Sequence, residues 1–150
     1  MFPFNVRVYG ILINENGEVL LSDEEAEHTS FTKFPGGGLE YGEGLLDALK
    51  REYVEECDLE VDVVKHIYTT DFFEKSSFND SQIISIYYQV QNKTSIDLTI
   101  SKERFEFINP AYCSDNKKQA FRWVKIQDVQ LEELTFDTDK IAWKQFLDLQ

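Results

Sequence analysis

Cysteine is scarce in this chain: Cys57 and Cys113 lie far from each other and from the two histidines, His28 and His66. That spacing excludes a disulfide framework and a Cys/His zinc pattern. Cys57 reads as a small buried hydrophobe and Cys113 as a loop thiol, and both suit a reducing cytoplasm. Long apolar runs are also missing. Nothing approaches the ~18–20 residues of a membrane span, and Met1-Phe2-Pro3-Phe4 lacks the basic start and apolar core of a signal peptide. Basic residues are outnumbered, 15 Lys and Arg against 28 Asp and Glu, giving a formal charge of −13. A long polyanionic nucleic acid is therefore an unsuitable partner. No repeat, linker or low-complexity segment divides the chain, so residues 1–150 read as one globular domain.

What is present is concentrated between Phe34 and Leu59, FPGGGLEYGEGLLDALKREYVEECDL. Leu45, Leu46, Leu49, Tyr53 and Cys57 recur at helical spacing, so a glycine-rich loop leads into an amphipathic helix. On that helix Glu52, Glu55 and Glu56 share one flank beside Arg51. Glu52 and Glu56 are i,i+4 neighbours, where like charges oppose helix formation. Arg51 can neutralise one carboxylate; a hard divalent cation with oxygen ligands answers the whole cluster better. Glutamate-rich helices are more often solvated acidic faces, and composition alone favours that reading here.

The spacing of loop and helix together overturns it. Gly37, Glu43, Arg51, Glu52, Glu55 and Glu56 form G-x5-E-x7-R-E-x-x-E-E, an arrangement that this composition produces by chance with a probability on the order of 10⁻⁵. It resembles the Nudix box, the motif of the MutT-like Nudix hydrolase family. Asp58 stands where the box has glycine, Gly44 where Ser or Thr often caps the helix, and Tyr53 where an aliphatic residue is usual. No carboxylate is lost, so these departures bear on local packing more than on the chemistry.

Along the rest of the chain, Asn5 to Ile13 is a strand, and Asn14-Glu15-Asn16-Gly17 before Glu18 to Leu21 reads as a hairpin. Ser22 to Ser30 reads as a loop with His28 on the surface, and Phe31 to Phe34 as a short strand. Glu60 to Phe73 is strand-like, His66 being half-buried. Gln82 to Gln91 is apolar on both faces, as a central strand should be. Ile96 to Ile100 alternates like a strand, Ser101 to Phe107 could start a helix, and 109 to 118 is a loop. Gln119 to Ile126 is a strand, Asp128 to Leu134 a helical turn, and Asp137 caps a helix running to Leu149. These elements imply an α/β fold with a mixed β-sheet between helical layers, the α/β/α sandwich that the resemblance also implies.

The resemblance implies hydrolysis of a pyrophosphate bond in a nucleoside diphosphate linked to another moiety: a nucleoside triphosphate, nucleotide sugar or dinucleotide. Glu52, Glu55 and Glu56 match the family's Mg²⁺ or Mn²⁺ ligands. Arg51 matches the residue that holds a carboxylate, and Glu43 the one that supports the loop or a water-mediated metal contact. Gly37 and Gly38 let backbone approach metal or phosphate. Arg7, in an otherwise apolar strand, and Lys33 are read as phosphate contacts, the alternatives being edge snorkelling and ordinary solvation. The general base is a box glutamate, Glu52 among them, or an acid on a later loop, of which Asp115 is nearest to the Arg-Trp strand; Glu74, Glu103 and Glu106 are further candidates. Tyr9, Phe31, Phe72, Tyr87 and Tyr88 could stack on a base. The partner is a small phosphorylated nucleotide, and a homodimer stays open. The competing readings are a non-catalytic Nudix-like nucleotide sensor, which loss of a box carboxylate would favour, and a structural metal-binding domain, which leaves the glycine loop unexplained.

Overall fold

The computed structural model describes residues 3–150; Met1 and Phe2, part of the expectation about a leader, lie outside them. Two helices cover opposite faces of a β layer made of two sheets. The first is mixed, in the order β4 (Gly36–Gly38), β1 (Phe4–Leu12), β6 (Gln82–Asn92), β5 (Val61–Thr69). β1 and β6 run parallel, and the other two pairs are antiparallel. The second is an antiparallel ladder of β3 (Thr29–Lys33), β2 (Glu18–Ala26) and β7 (Lys117–Lys125).

Period-2 alternation in the strands assigns each side chain to one helix or the other. Val8, Leu12, Leu20, Val90 and Phe121 pack with Ala48, Leu49, Tyr53 and Cys57 of α1 (Leu45–Cys57). Tyr9, Ile11, Val19, Leu21 and Tyr87 face the other way, onto Ala142, Trp143 and Phe146 of α2 (Asp137–Asp148). Each cluster draws on both sheets, so the two sheets act as one layer of an α/β/α sandwich. As its two-sided pattern requires, β6 lies between β1 and β5.

The expected hairpin forms only at its base. Asn14 Oδ1 accepts from the N–H groups of Asn16 and Glu18 (2.9 and 3.0 Å), closing the turn. After the single Ile13–Val19 bridge the strands part into different sheets. The stretch 22–30, expected to be a loop, instead completes β2 and enters β3 through Glu27 and His28, both with positive φ. Its polarity misleads because Asp23 and Glu24 are buried and paired: Arg122 grips Asp23 (2.6 and 3.0 Å), and Lys33 meets Glu24 at 3.0 Å. His28 is on the surface as expected.

Ile96 to Ile100 forms no ladder beyond one bridge from Ile100 to Phe121; its alternation lays Ile96, Leu98 and Ile100 on the α1-side core as a single extended segment. No helix forms over 101–107. The turn expected near Asp128 is a pair of 3-10 turns, Ile126–Asp128 and Leu131–Glu133. Asp137 does not cap α2: the cap position is Phe136, and Asp137 is the first helical residue, where its charge suits the helix dipole. His66 is exposed, its ring edge-on to Tyr88.

The two departures around α1 have physical answers. Asp58 takes the left-handed conformation usual for glycine, and its N–H still reaches Val54 O at 3.1 Å, so the helix ends normally. Tyr53 matches Gly10, where a Cβ would come within 2.5–2.9 Å of the tyrosine ring and hydroxyl. The hydroxyl donates to Gly10 O at 3.0 Å, so a buried polar group is satisfied.

Candidate active site

β4 and α1 hold the charged motif face to face. β4 pairs with β1 so that Arg7 lies opposite Gly38, Val8 opposite Gly37 and Tyr9 opposite Gly36. A Cβ on Gly37 would stand 2.6–2.7 Å from the carboxyl atoms of Glu52, a distance at which something must move. The glycine is therefore needed to seat a carboxylate against the strand. One turn on, Glu56 accepts a hydrogen bond from Gly36 N at 3.3 Å. Burial pushes the Glu56 carboxyl above its ordinary range; Glu24 and Glu52 add to this, while the cations Lys33 and Lys117 oppose it.

Arg51 is the hub of the cluster. It donates to both oxygens of Glu43 (3.0 and 2.7 Å), to Gly38 O (3.0 Å), to Glu52 Oε1 (3.1 Å) and to Glu55 Oε2 (3.2 Å). The fork of Arg51 and then the Glu40 N–H hold Glu43 below the usual carboxylate range. Glu43 in this structure ties the glycine loop to the helix. Among the described residues, no three of His, Cys, Asp and Glu converge so as to hold a metal ion. The donors nonetheless suit a hard cation in kind: all are carboxylate oxygens, and one oxygen of Glu52 and one of Glu55 lie outside the Arg51 contacts.

Beside this cluster opens a cavity of about 390 Å³. Arg7, Glu24 and Lys33 lie on the side toward the motif, with Tyr9, Phe31, Phe78 and Phe136 among the aromatic walls. Phe31 stands 5.6 Å from both Phe78 and Phe136, centroid to centroid. Asp139 also lines it. Its Oδ1 accepts from the Tyr87 hydroxyl, and its Oδ2 is buried with no hydrogen-bond partner. Burial, with help from Glu74, pushes its carboxyl up to about 7 against the opposing effect of the Tyr87 hydrogen bond, Lys33 and Arg7.

Of the residues singled out from sequence, the motif positions Gly37, Gly38, Glu43, Arg51, Glu52, Glu55 and Glu56 are brought together. Arg7 faces the cavity and spends Nε on the Tyr9 hydroxyl (2.5 Å). Lys33 is buried, its ammonium held by Glu24, Phe34 O and Gly36 O at 3.0–3.3 Å. Asp115 is exposed on its loop, where Asn116 and Lys117 are the cavity-lining neighbours. Glu74 lines the cavity, its proton affinity raised by burial and then by Asp137. Tyr9 and Phe31 reach the cavity, whereas Tyr87 is wholly buried and Phe72 and Tyr88 pack against the core clusters.

Glu24, Lys117, Phe136 and Asp139 were missed. No local pattern marks them, because β2, β7 and α2 meet only in the fold. A weak signal existed for Asp139: it sits on the apolar side of its helix, three residues before Ala142 and four before Trp143.

The model of the NUDIX domain family matches residues 3–144. The chain therefore belongs to the Nudix family, and its class of activity is that of a Nudix pyrophosphohydrolase. Among solved structures, the ORF135 protein of E. coli is 20% identical with a TM-score of 0.71, the match covering 99% of this chain and 91% of that one. The MutT protein from Methanosarcina mazei Go1 is 18% identical with a TM-score of 0.71, over 99% and 96%. An ADP-ribose pyrophosphatase from Streptococcus suis is 13% identical with a TM-score of 0.63, over 97% and 90%. At these identities the likeness is one of fold. No curated protein matches the chain. Among the described residues, no helix is long and apolar enough to cross a membrane.

Proposed function

We propose that the chain hydrolyses a pyrophosphate bond in a small nucleotide whose nucleoside occupies the cavity and whose phosphates lie across Glu52 and Glu56. The observation that carries this reading is the position of the cavity. Arg7 lines it and lies opposite Gly38, while Glu24 and Lys33 line it within electrostatic reach of Glu56. Aromatic walls suit a planar heterocycle, and the unpartnered Asp139 Oδ2 suits a hydrogen-bonding edge on it.

Glu52, Glu55 and Glu56 would hold Mg²⁺ or Mn²⁺, with Gly37 leaving the room that Glu52 needs. When bound, such a cation supplies charge neutralisation on the pyrophosphate and a water of lowered pKa. Arg51 keeps Glu43, Glu52 and Glu55 in register with the glycine strand. Arg7 brings a guanidinium to the phosphate side of the cavity, while the contacts of Lys33 make it a brace for Glu24 and the Gly36 backbone. The general base belongs among the motif glutamates rather than at Asp115, which is exposed on its loop.

The test is metal-dependent product release from a panel of nucleoside triphosphates, nucleotide sugars and dinucleotides, comparing the wild type with Glu56→Gln. Turnover that requires metal and collapses in the variant supports the reading and names the substrate. Nucleotide binding with an intact panel would instead make the chain a sensor.

A further inference from the structure

We propose that Lys117 is a substrate-phosphate ligand, exchanging a loose pairing with Glu24 for a phosphate oxygen. This rests on the hydrolase reading above and deepens it. Lys117 opens β7 and lines the cavity from the second sheet, as Arg7 on β1 lines it from the first. Its charge bears on both Glu24 and Glu56, which places it on the side where the cavity meets the motif.

The two lysines that meet Glu24 differ in kind. Lys33 sits 3.0 Å from Oε2, is almost fully buried, and also donates to two backbone carbonyls. Ser22 donates to the same Oε2 at 2.9 Å. Lys117 stands 3.6 Å from Oε1, beyond a good hydrogen bond, with its side chain 48% exposed. Glu24 is therefore neutralised without Lys117, whose long, half-exposed stem leaves its ammonium free to move. The remaining cavity lysine, Lys75, points its charge at Asp80 (3.4 Å) within its own β5–β6 loop. Arg7 and Lys117 thus form a two-sided cationic clamp, and the gain from it should grow with the charge of the phosphate chain.

The experiment is steady-state kinetics of the wild type, Lys117→Gln and Lys117→Arg on the best substrate of the panel. It includes inhibition by the matching unphosphorylated nucleoside, and thermal melts. Lys117→Gln should raise KM about tenfold at low salt, lower kcat less than about threefold, and leave the nucleoside's inhibition constant and Tm unchanged; Lys117→Arg should restore most of the affinity. An unchanged KM overturns the proposal. So does a rise in KM matched by equal weakening of the nucleoside or by a fall in Tm, since either means a damaged cavity wall. A wild type that turns over nothing in the panel defeats the hydrolase reading together with this one, whereas an active wild type indistinguishable from Lys117→Gln defeats this one alone.

Discussion

The charged motif and the cavity beside it are built on opposite plans. The motif is contiguous, and one side chain, Arg51, orders it by touching Glu43, Glu52, Glu55 and Gly38. The cavity is assembled from β1, β2, β3, the 74–78 loop, the start of β6, the start of β7 and the start of α2; burial raises the proton affinity of Glu74 and Asp139, while at Glu24 burial is outweighed by Lys33 and Lys117, which hold it down. On the proposed function, bond-breaking chemistry has a local address in the chain, while recognition has only a three-dimensional one. If that division is real, the two regions should fail separately. Glu52→Gln should lower kcat/KM by about 10³-fold while binding of the free nucleoside, followed by calorimetry, stays within about twofold. Equal loss of both would break the division.

Gly37→Ala tests the motif's own geometry without removing a charge. The new Cβ would collide with the Glu52 carboxyl at 2.6 Å, and the backbone on its far side is pinned to Val8 of β1, so the carboxylate must give way. We expect kcat to fall about 100-fold, in line with misplacement of a reacting group by about 1 Å. The fold should remain intact by circular dichroism. Gly38→Ala is the control: its Cβ meets nothing nearer than 3.6 Å, and its effect on kcat should be far smaller.

The same division explains what could be read from sequence. The limits of α1, Leu45 and Cys57, follow from apolar spacing alone, and the motif residues meet because they share one helix and its entry loop. The central position of β6 follows from its two apolar faces. Residues 22–30 misled because Asp23 and Glu24 look solvated until Arg122 and Lys33 arrive from elsewhere. Buried ion pairs are invisible to a reading that sorts residues into apolar and polar. Phe136 is legible only once it is docked beside Phe31, whereas Asp139 leaves just the weak trace of an acid on the apolar side of its helix.

Asp139→Asn addresses the cavity side. The wild-type carboxyl is fully buried and pushed up to about 7 from an ordinary 3.8. Between those values the folded protein holds a proton that the unfolded chain has released. Its stabilising effect is therefore complete below about pH 4 and is lost as pH rises to about 7, a range worth a few kcal/mol at most. Asparagine cannot ionise, so the stability of the wild type relative to the variant should decline across that window and level off above it. Urea titrations at pH 5, 6 and 7.5 measure this. A constant difference would mean that Asp139 does not bind a proton on folding. On the kinetic side, the variant should change KM among substrates with different bases by about tenfold, leaving kcat nearly untouched.

The smallest expected effect belongs to Tyr53→Phe, which asks whether the motif helix needs its unusual residue for chemistry or only for packing. The ring fills the space that Gly10 leaves, and phenylalanine keeps that contact. Only the hydroxyl is lost, and with it the 3.0 Å hydrogen bond to Gly10 O. A single neutral bond of this kind contributes about 1 kcal/mol, so the urea midpoint should fall slightly with an unchanged m-value. Activity should not move, because the Tyr53 hydroxyl is spent on Gly10 O on the core side of α1 and makes no hydrogen bond to Glu52 or Glu56, although Glu56 lies within its electrostatic reach. Gly10→Ala, which drives a Cβ into the same ring, should cost several times more. A marked loss of kcat in Tyr53→Phe would mean that the seating of α1 on β1 also sets the carboxylate positions, and the separation between core face and charged flank would no longer hold.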